Sequence, residues 1–285
     1  MIAFAKRYFG QDSLSWFHKS YILDWVFVSL LWLISYFISY WPVYEREFSL
    51  TDKTIALSHK ENQVGSGFNF TAALFVPLLL VVVVGFKNRS IVDLHHGTLA
   101  LLAGRGLARM ITEYFKHRVG RLRPDFLARC KWDEVAELCA GKKSSILDGR
   151  MSFPSGHSST AFAGMIFLTL WIAGQTAAIC LSAGPSVRWM PSRLAALALT
   201  LAPISWATHV AFTRIEDHRH HMEDVIVGSL IGTFSAAICY LLFWPSPFHI
   251  SSFNSSGRTE ARYLYISTAQ SRGTYELTTT NDDVV

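Results

Sequence analysis

Eight residues of this chain have side chains suited to binding and moving a phosphoryl group, and they fall into three short strings. The first is Lys116, six residues, then Arg123-Pro124. The second is Pro154-Ser155-Gly156-His157. The third is Arg214, five residues, His220, three residues, Asp224. Lys116, Arg123 and Arg214 offer charge-assisted donors, and the arginine fork can take two oxygens at once. Ser155 and Gly156 read as the start of a helix, where free backbone N–H groups and the helix dipole favour an anion. Gly156 also permits close backbone approach. His157, at that helix mouth, is placed to protonate a leaving oxygen. Asp224 follows His220 by four positions, one helical turn. There it could bond one ring nitrogen and leave the other free to attack.

Each string also has an ordinary reading. A basic residue at a membrane interface often anchors to headgroups, which would suffice for Arg118, Arg121, Lys142, Lys143 and Arg150. Ser-Gly-His opens many helices, and a His-Asp pair four apart is often a surface hydrogen bond. His218, His220 and His221 with Asp217, Glu223 and Asp224 also suggest zinc or manganese ligands. Arg214, Arg219 and the other cations repel a metal, so no metal is expected. His218 and His221 are read as supporting or solvent-facing, and His95, His96 and His117 have no assigned partner. The case for chemistry is that all three strings occur together, in order.

The elements that hold these strings are membrane spans. The chain has 285 residues, 51% hydrophobic and 16% charged, against about 25% charged in soluble domains. The apolar residues gather in runs near the ~20 residues needed to cross a bilayer. These are Tyr21–Tyr40, Thr71–Phe86, Ile91–Phe115, Ser159–Leu181, Leu194–Phe212 and Val225–Trp244. The expected fold is all-α, a six-span domain over residues 21–245, after an N-terminal cytosolic segment 1–20 that does not read as a signal peptide. A polar tail over 246–285, ending Asn281-Asp282-Asp283, is expected to be disordered and cytosolic. Span parity brings the three strings to one membrane face.

Orientation follows from the other face. Lys6, Arg7 and Lys19, then Lys87 and Arg89, then Arg188 and Arg193 make that face basic, which places it in the cytosol. The strings then face the lumen or the exterior. The basic segment Lys116–Arg150 departs from the rule, either because the chemistry needs cations or because the topology is inverted. In the third run, Arg105, Arg109 and Glu113 recur every four residues and stack on one helix face. An Arg109–Glu113 pair beneath a polar site is expected, or a structural pairing alone. Cys130 and Cys139 share the far-side segment. A disulfide is allowed there if that face is oxidising, although nearness in sequence does not establish geometry. Cys180 and Cys239 read as apolar span residues. None of the sequons at Asn69, Asn88 and Asn254 is expected to carry a glycan.

KHRVGRLRP (Lys116–Pro124), FPSGHSS (Phe153–Ser159) and TRIEDHRHHMEDV (Thr213–Val225) resemble the type 2 phosphatidic acid phosphatase superfamily, and within it the lipid phosphate phosphatases. The likeness covers about Tyr21 to Pro245. The KW near Cys130 and the HRHHMEDV string look closest to fungal diacylglycerol pyrophosphate phosphatases. The resemblance implies hydrolysis of a lipid phosphate through a phosphohistidine on His220, with His157 as acid and Asp224 as orienter. It implies phosphate binding by Lys116, Arg123, Ser155, Gly156 and Arg214, and independence of magnesium or any cofactor. Thr213 stands where that family usually has Ser, and keeps the hydroxyl. The loop Pro42–Phe70 carries no transferable role. The expected partners are a membrane lipid phosphate and the bilayer, with no nucleic acid. Vacuole, Golgi and plasma membrane remain open, as do a headgroup phosphotransferase, a transporter and an inactive scaffold. A vanadate-dependent haloperoxidase uses similar residues, but those resemble soluble proteins.

Overall fold

The computed structural model describes residues 7–10, 14–182 and 192–265. Lys6, Arg188 and the Asn281-Asp282-Asp283 end lie outside the described residues. In chain order the helices are α1 (Ser20–Ile38), α2 (Ser66–Lys87), α3 (Ile91–Val119), α4 (Phe126–Cys130), α5 (Lys143–Gly149), α6 (Gly156–Thr176), α7 (Arg193–Glu216) and α8 (Met222–Phe243). Two-residue strands β1 (Trp132–Asp133) and β2 (Leu138–Cys139) pair antiparallel between α4 and α5.

The long helices match the six apolar runs, with shifted ends. Caps set those ends, and the runs do not. Ser90, Ser155 and Ser192 each accept a backbone N–H three residues on and so start α3, α6 and α7. The fourth run was expected to reach Leu181, but Ala177 takes a left-handed φ of 52° and ends α6 at Thr176. Among the described residues, five long helices are apolar enough to cross a membrane; α3 is not among them. It packs instead against α1, α2, α6 and α8, which shield its charges from lipid. Large apolar side chains such as Phe27, Leu79 and Phe234 face outward, 60–66% exposed, as a bilayer-facing surface requires.

α6 is central, touching α2, α3, α7 and α8. Its contact with α8 depends on small residues. A Cβ at Gly232 would fall 2.8 Å from the Ala163 backbone nitrogen, so glycine lets the two backbones close up. This brings the start of α8 beside the start of α6.

The tail departs from expectation over its first twenty residues. Thr259 N–H donates to Gly174 O at 2.8 Å, Arg262 N–H to Phe243 O at 2.8 Å, and Tyr265 Oη to Asp24 at 3.0 Å. Residues 246–265 therefore return to the end of the bundle opposite the three strings, the near end, because that end offers helix-terminal carbonyls and an acid. The part of the tail after residue 265 lies outside the described residues.

Candidate active site

Ser155 caps α6. Its Oγ accepts from Ser158 N–H at 3.4 Å and from Ser158 Oγ at 3.0 Å. Its own N–H donates to Asp224 O at 2.8 Å, which ties the start of α6 to that of α8. Gly156 follows. Lys116 Nζ lies 2.9 Å from where a Cβ would stand there, so only glycine leaves the ammonium its place. His157 comes next. Its Nε2 is buried with no partner, while the ring is hydrogen-bonded at the Val64 backbone.

His220 sits in the turn between α7 and α8. Its Nδ1 lies 2.7 Å from Ser152 O. A carbonyl only accepts, so Nδ1 carries the proton and the lone pair is on Nε2. The expected bond from Asp224 to His220 is not made. Asp224 Oδ2 is 3.9 Å from His220 Nδ1. His221 is the N-cap of α8, and the Asp224 carboxylate accepts its backbone N–H at 3.0 Å. His220 thus precedes the helix, and the four-residue spacing is not a helical turn. Asp224 acts one step removed: it accepts Ser152 Oγ–H at 2.5 Å and Arg121 Nη1–H at 2.7 Å, and Ser152 holds the histidine.

Arg123 donates from Nε to Asp148 O and from Nη2 to Asp148 Oδ1, both at 2.8 Å. Arg129 braces the same acid at 2.7 Å and reaches Asp125 at 2.9 Å. Lys116 pairs with Glu113 at 3.2 Å, so the expected Arg109–Glu113 pair is replaced: the carboxylate turns toward the site. Arg214 is fully buried, donating to Asn62 Oδ1 at 3.0 Å, Thr213 Oγ1 at 2.8 Å and Asp217 Oδ2 at 2.8 Å. The Thr213 hydroxyl thus serves Arg214.

Lys116, Arg123, Gly156, His157 and His220 line one cavity of ≈ 310 Å³, together with Asp148, Glu113, Arg109 and Arg105. Ser155, Asp224 and Arg214 lie behind that wall. Burial, then the positive charge of Arg123 and Lys116, pushes His220 well below the ordinary imidazole value. Arg123 is lowered first by its burial, and Asp148 opposes that shift. Asp148 ends below the usual carboxylate range because Arg123 and Arg129 outweigh its burial. His220 is therefore held neutral among cations. Among the described residues no group of three His, Cys, Asp or Glu side chains is placed to hold a metal ion.

Several partners were not legible. Arg121, read as a headgroup anchor, salt-bridges Asp224 and Glu223; its place between Lys116 and Arg123 was the available signal. Ser152, two residues before Pro154, gave none. The loop before α2 straps the site: Asn62 holds Arg214, Gln63 N–H donates to Asp217 Oδ2 at 3.0 Å, and His59 meets Asp125 at 2.6 Å. Cys130 and Cys139 form a disulfide, while Cys180 and Cys239 are free and buried. Asn69 is buried, its amide donating to His157 O at 3.0 Å.

The family described as the PAP2 superfamily matches residues 97–247, which span all three strings. Lipid phosphate phosphatase 1 of Arabidopsis thaliana is 32% identical over 272 residues, covering 92% of this chain and 78% of the relative. Diacylglycerol pyrophosphate phosphatase 1 of Saccharomyces cerevisiae is 32% identical over 228 residues, 75% of this chain and 76% of the relative. Phospholipid phosphatase 2 of Mus musculus is 34% identical over 146 residues, 48% of this chain and 49% of the relative. No solved structure gives a significant match.

Proposed function

Because the chain belongs to the PAP2 superfamily, we propose that it is a lipid phosphate phosphatase that works through a phosphohistidine on His220. The observation that carries this is the hydrogen bond of His220 Nδ1 to Ser152 O, 2.7 Å, in a ring that lines a cavity shared with Lys116, Arg123 and His157. Nε2 attacks the terminal phosphorus, and the bond from phosphorus to the lipid oxygen breaks. His157 enters the step as the imidazolium, held so by the negative charge of the bound phosphate, and the leaving oxygen takes the electron pair and the proton from its Nε2. Water, giving its proton back to His157, then breaks the phosphorus–nitrogen bond. Lys116 and Arg123 hold the equatorial oxygens throughout.

Metal independence rests on the donor set, cations around His220 with no carboxylate cage. The site end faces away from the cytosol on this reading; Lys87 and Arg89 at the other end support that, as does the disulfide. Cysteines placed at exposed Glu61 and Ser182 should label from opposite sides of sealed vesicles, and labelling from one side overturns the orientation. The reading is tested with purified protein, EDTA and terminally 32P-labelled phosphatidate or diacylglycerol pyrophosphate. Inorganic phosphate should be released, and a denaturing alkaline quench should trap label on wild type that is stable to base and lost in acid, and none on His220→Ala. Equal label on both proteins, or release only after magnesium is added, overturns it.

A further inference from the structure

Asp148 belongs to none of the three strings, yet it puts a carboxylate into the wall of a cavity suited to an anion. Charge alone would keep an acid out of such a wall. The reason for it lies in its bonds. The end of α5 grips Arg123 three times: the Arg123 backbone N–H donates to Gly149 O, Nε to Asp148 O and Nη2 to Asp148 Oδ1, each at 2.8 Å. That end of α5 can lie against α4 because residue 149 is glycine. A Cβ there would fall 2.9 Å from Phe126 Cδ2 and 3.0 Å from Arg129 Cδ. The second carboxylate oxygen is also taken. Asp148 Oδ2 accepts from Arg129 Nη1 at 2.7 Å, and Arg129 Nε donates in turn to Asp125 at 2.9 Å. Arg129 and Asp125 are buried, so the carboxylate that holds Arg123 is itself held from behind.

A guanidinium offers its N–H donors in a rigid planar fork. Asp148 occupies one side edge of the Arg123 fork, Nε and the Nη2 hydrogen next to it. The end edge, one N–H from each of Nη1 and Nη2, has no hydrogen-bond partner among the described residues, and Arg123 lines the cavity. An end edge of this kind can meet two oxygens of one phosphate. We propose that Asp148 is a positioning residue of the reaction: by fixing the side edge of Arg123 it turns the end edge toward the phosphoryl oxygens. This inference rests on the lipid phosphatase reading, in which Arg123 holds the equatorial oxygens. An arginine fixed in advance need not be ordered when the phosphate arrives, and it stays aligned as charge moves during attack by His220. Asp148 touches neither phosphorus nor histidine in this scheme. It acts through Arg123.

The probe is orthovanadate, a phosphate mimic, as a competitive inhibitor of phosphate release from a lipid phosphate in mixed micelles. EDTA is omitted because it chelates vanadate. The inhibition constant Ki does not depend on how much of the protein is folded, so it separates positioning from stability. Asp148→Asn keeps the shape of the side chain, but its amide nitrogen only donates, so it cannot accept from both arginines. Charge alone predicts tighter vanadate, because an anion has left the wall. Loss of aim predicts the opposite sign, and Ki should rise about fivefold or more. In an Arg123→Lys background no fork remains to be aimed. There the same substitution should leave Ki within about twofold or lower it. A Ki that is unchanged or lowered by Asp148→Asn alone overturns the proposal, and so does an equal rise in both backgrounds. If the Asn variant does not fold, Asp148→Glu is measured instead. It keeps a charge for both arginines but carries it one methylene farther out, so Ki should rise about threefold; no rise overturns the proposal. Wild type that releases no phosphate overturns the phosphatase reading itself, whereas an active wild type whose Ki ignores residue 148 overturns only this inference.

Discussion

His96 and His220 are both buried histidines of one bundle, at opposite ends of it. His96 uses both ring nitrogens: Nδ1 is 2.9 Å from Val92 O and Nε2 3.1 Å from Tyr21 Oη. His95 beside it accepts Trp25 Nε1–H at 2.9 Å, and Trp16 and Tyr21 pack around the pair. His220 uses one nitrogen, and His157 leaves Nε2 buried and unpaired. Burial and residue type are nearly the same at the two ends. What differs is satisfaction. A polar group that costs stability by going unpaired is retained where a ligand completes it, whereas a completed one is structure. The near end is closed by aromatics and the returning chain; the far end is braced by ion pairs on every side except toward the cavity.

The largest effect expected from breaking this contrast is at His220. His220→Ala removes the attacking nitrogen and should lower kcat by about 10⁴-fold or more, read as phosphate release. Replacing His157 comes next. His157→Ala loses the proton donor and should slow turnover about 10²- to 10³-fold on a lipid phosphate. The loss should shrink on p-nitrophenyl phosphate, whose leaving group needs little protonation. An equal loss on both substrates would place His157 in binding instead. Asp224→Asn is smaller again. It keeps the volume but weakens the bonds to Ser152 Oγ and Arg121, so the carbonyl that holds His220 shifts. About a 10- to 10²-fold fall in kcat with KM nearly constant is expected. A change in KM alone would mean that Asp224 does not act through Ser152.

A pH experiment sharpens the same contrast. The folded-state pKa of His220 lies well below its unfolded value, mainly through burial and then through Arg123, and the unfolded value is near 6.5. Below that pH the unfolded chain binds a proton that the native state refuses, so stability must fall as pH drops from about 6.5 toward the native pKa. Above that window His220 contributes no pH dependence. Thermal unfolding in detergent between pH 7.5 and 5 should show a steeper acid-side loss for wild type than for His220→Gln. Parallel curves would show that His220 is not held neutral by its surroundings.

Much of this was legible in the sequence because membrane spans and phosphate chemistry both write themselves in residue type. Long apolar runs located the helices, parity gathered the strings to one face, and Lys116, Arg123, Gly156, His157 and His220 do line one cavity. The misreadings concern what spacing alone leaves undetermined. Asp224 was paired with His220 by counting four residues, but the helix begins between them, and a cap residue bonds backward to its own N-cap. Arg109 was paired with Glu113 by the same count, although Lys116 also lies within reach of that acid, three residues on. Asn62, Gln63 and His59 stand in a loop without periodicity or motif, and only the folded chain shows them bracing Arg214, Asp217 and Asp125. The returning tail residues Thr259, Arg262 and Tyr265 were missed because polar composition reads as disorder, while the partners they meet are carbonyls and Asp24 on distant elements.

The smallest expected effect on turnover belongs to His96, and it is the prediction most able to damage the contrast. His96→Phe fits the aromatic surroundings of Trp16, Tyr21 and Phe243 but removes both hydrogen bonds. Val92 O is a backbone acceptor already within a helix, so its loss matters little. The Tyr21 hydroxyl is different. It sits between His96 Nε2 and the Leu264 N–H, which it accepts at 3.4 Å, and without the imidazole it keeps only that long contact. Leaving one buried polar group poorly paired costs about 1–3 kcal/mol, part of it offset by the apolar ring. The variant should therefore unfold at lower temperature in detergent, with kcat and KM on a lipid phosphate within about twofold of wild type. The returning stretch around Leu264 should also become easier to cleave by protease, because Tyr21 holds Leu264. If kcat instead fell tenfold with the unfolding temperature unchanged, the near-end histidines would be coupled to the reaction, and satisfaction of ring nitrogens would no longer separate structural from chemical histidines in this bundle.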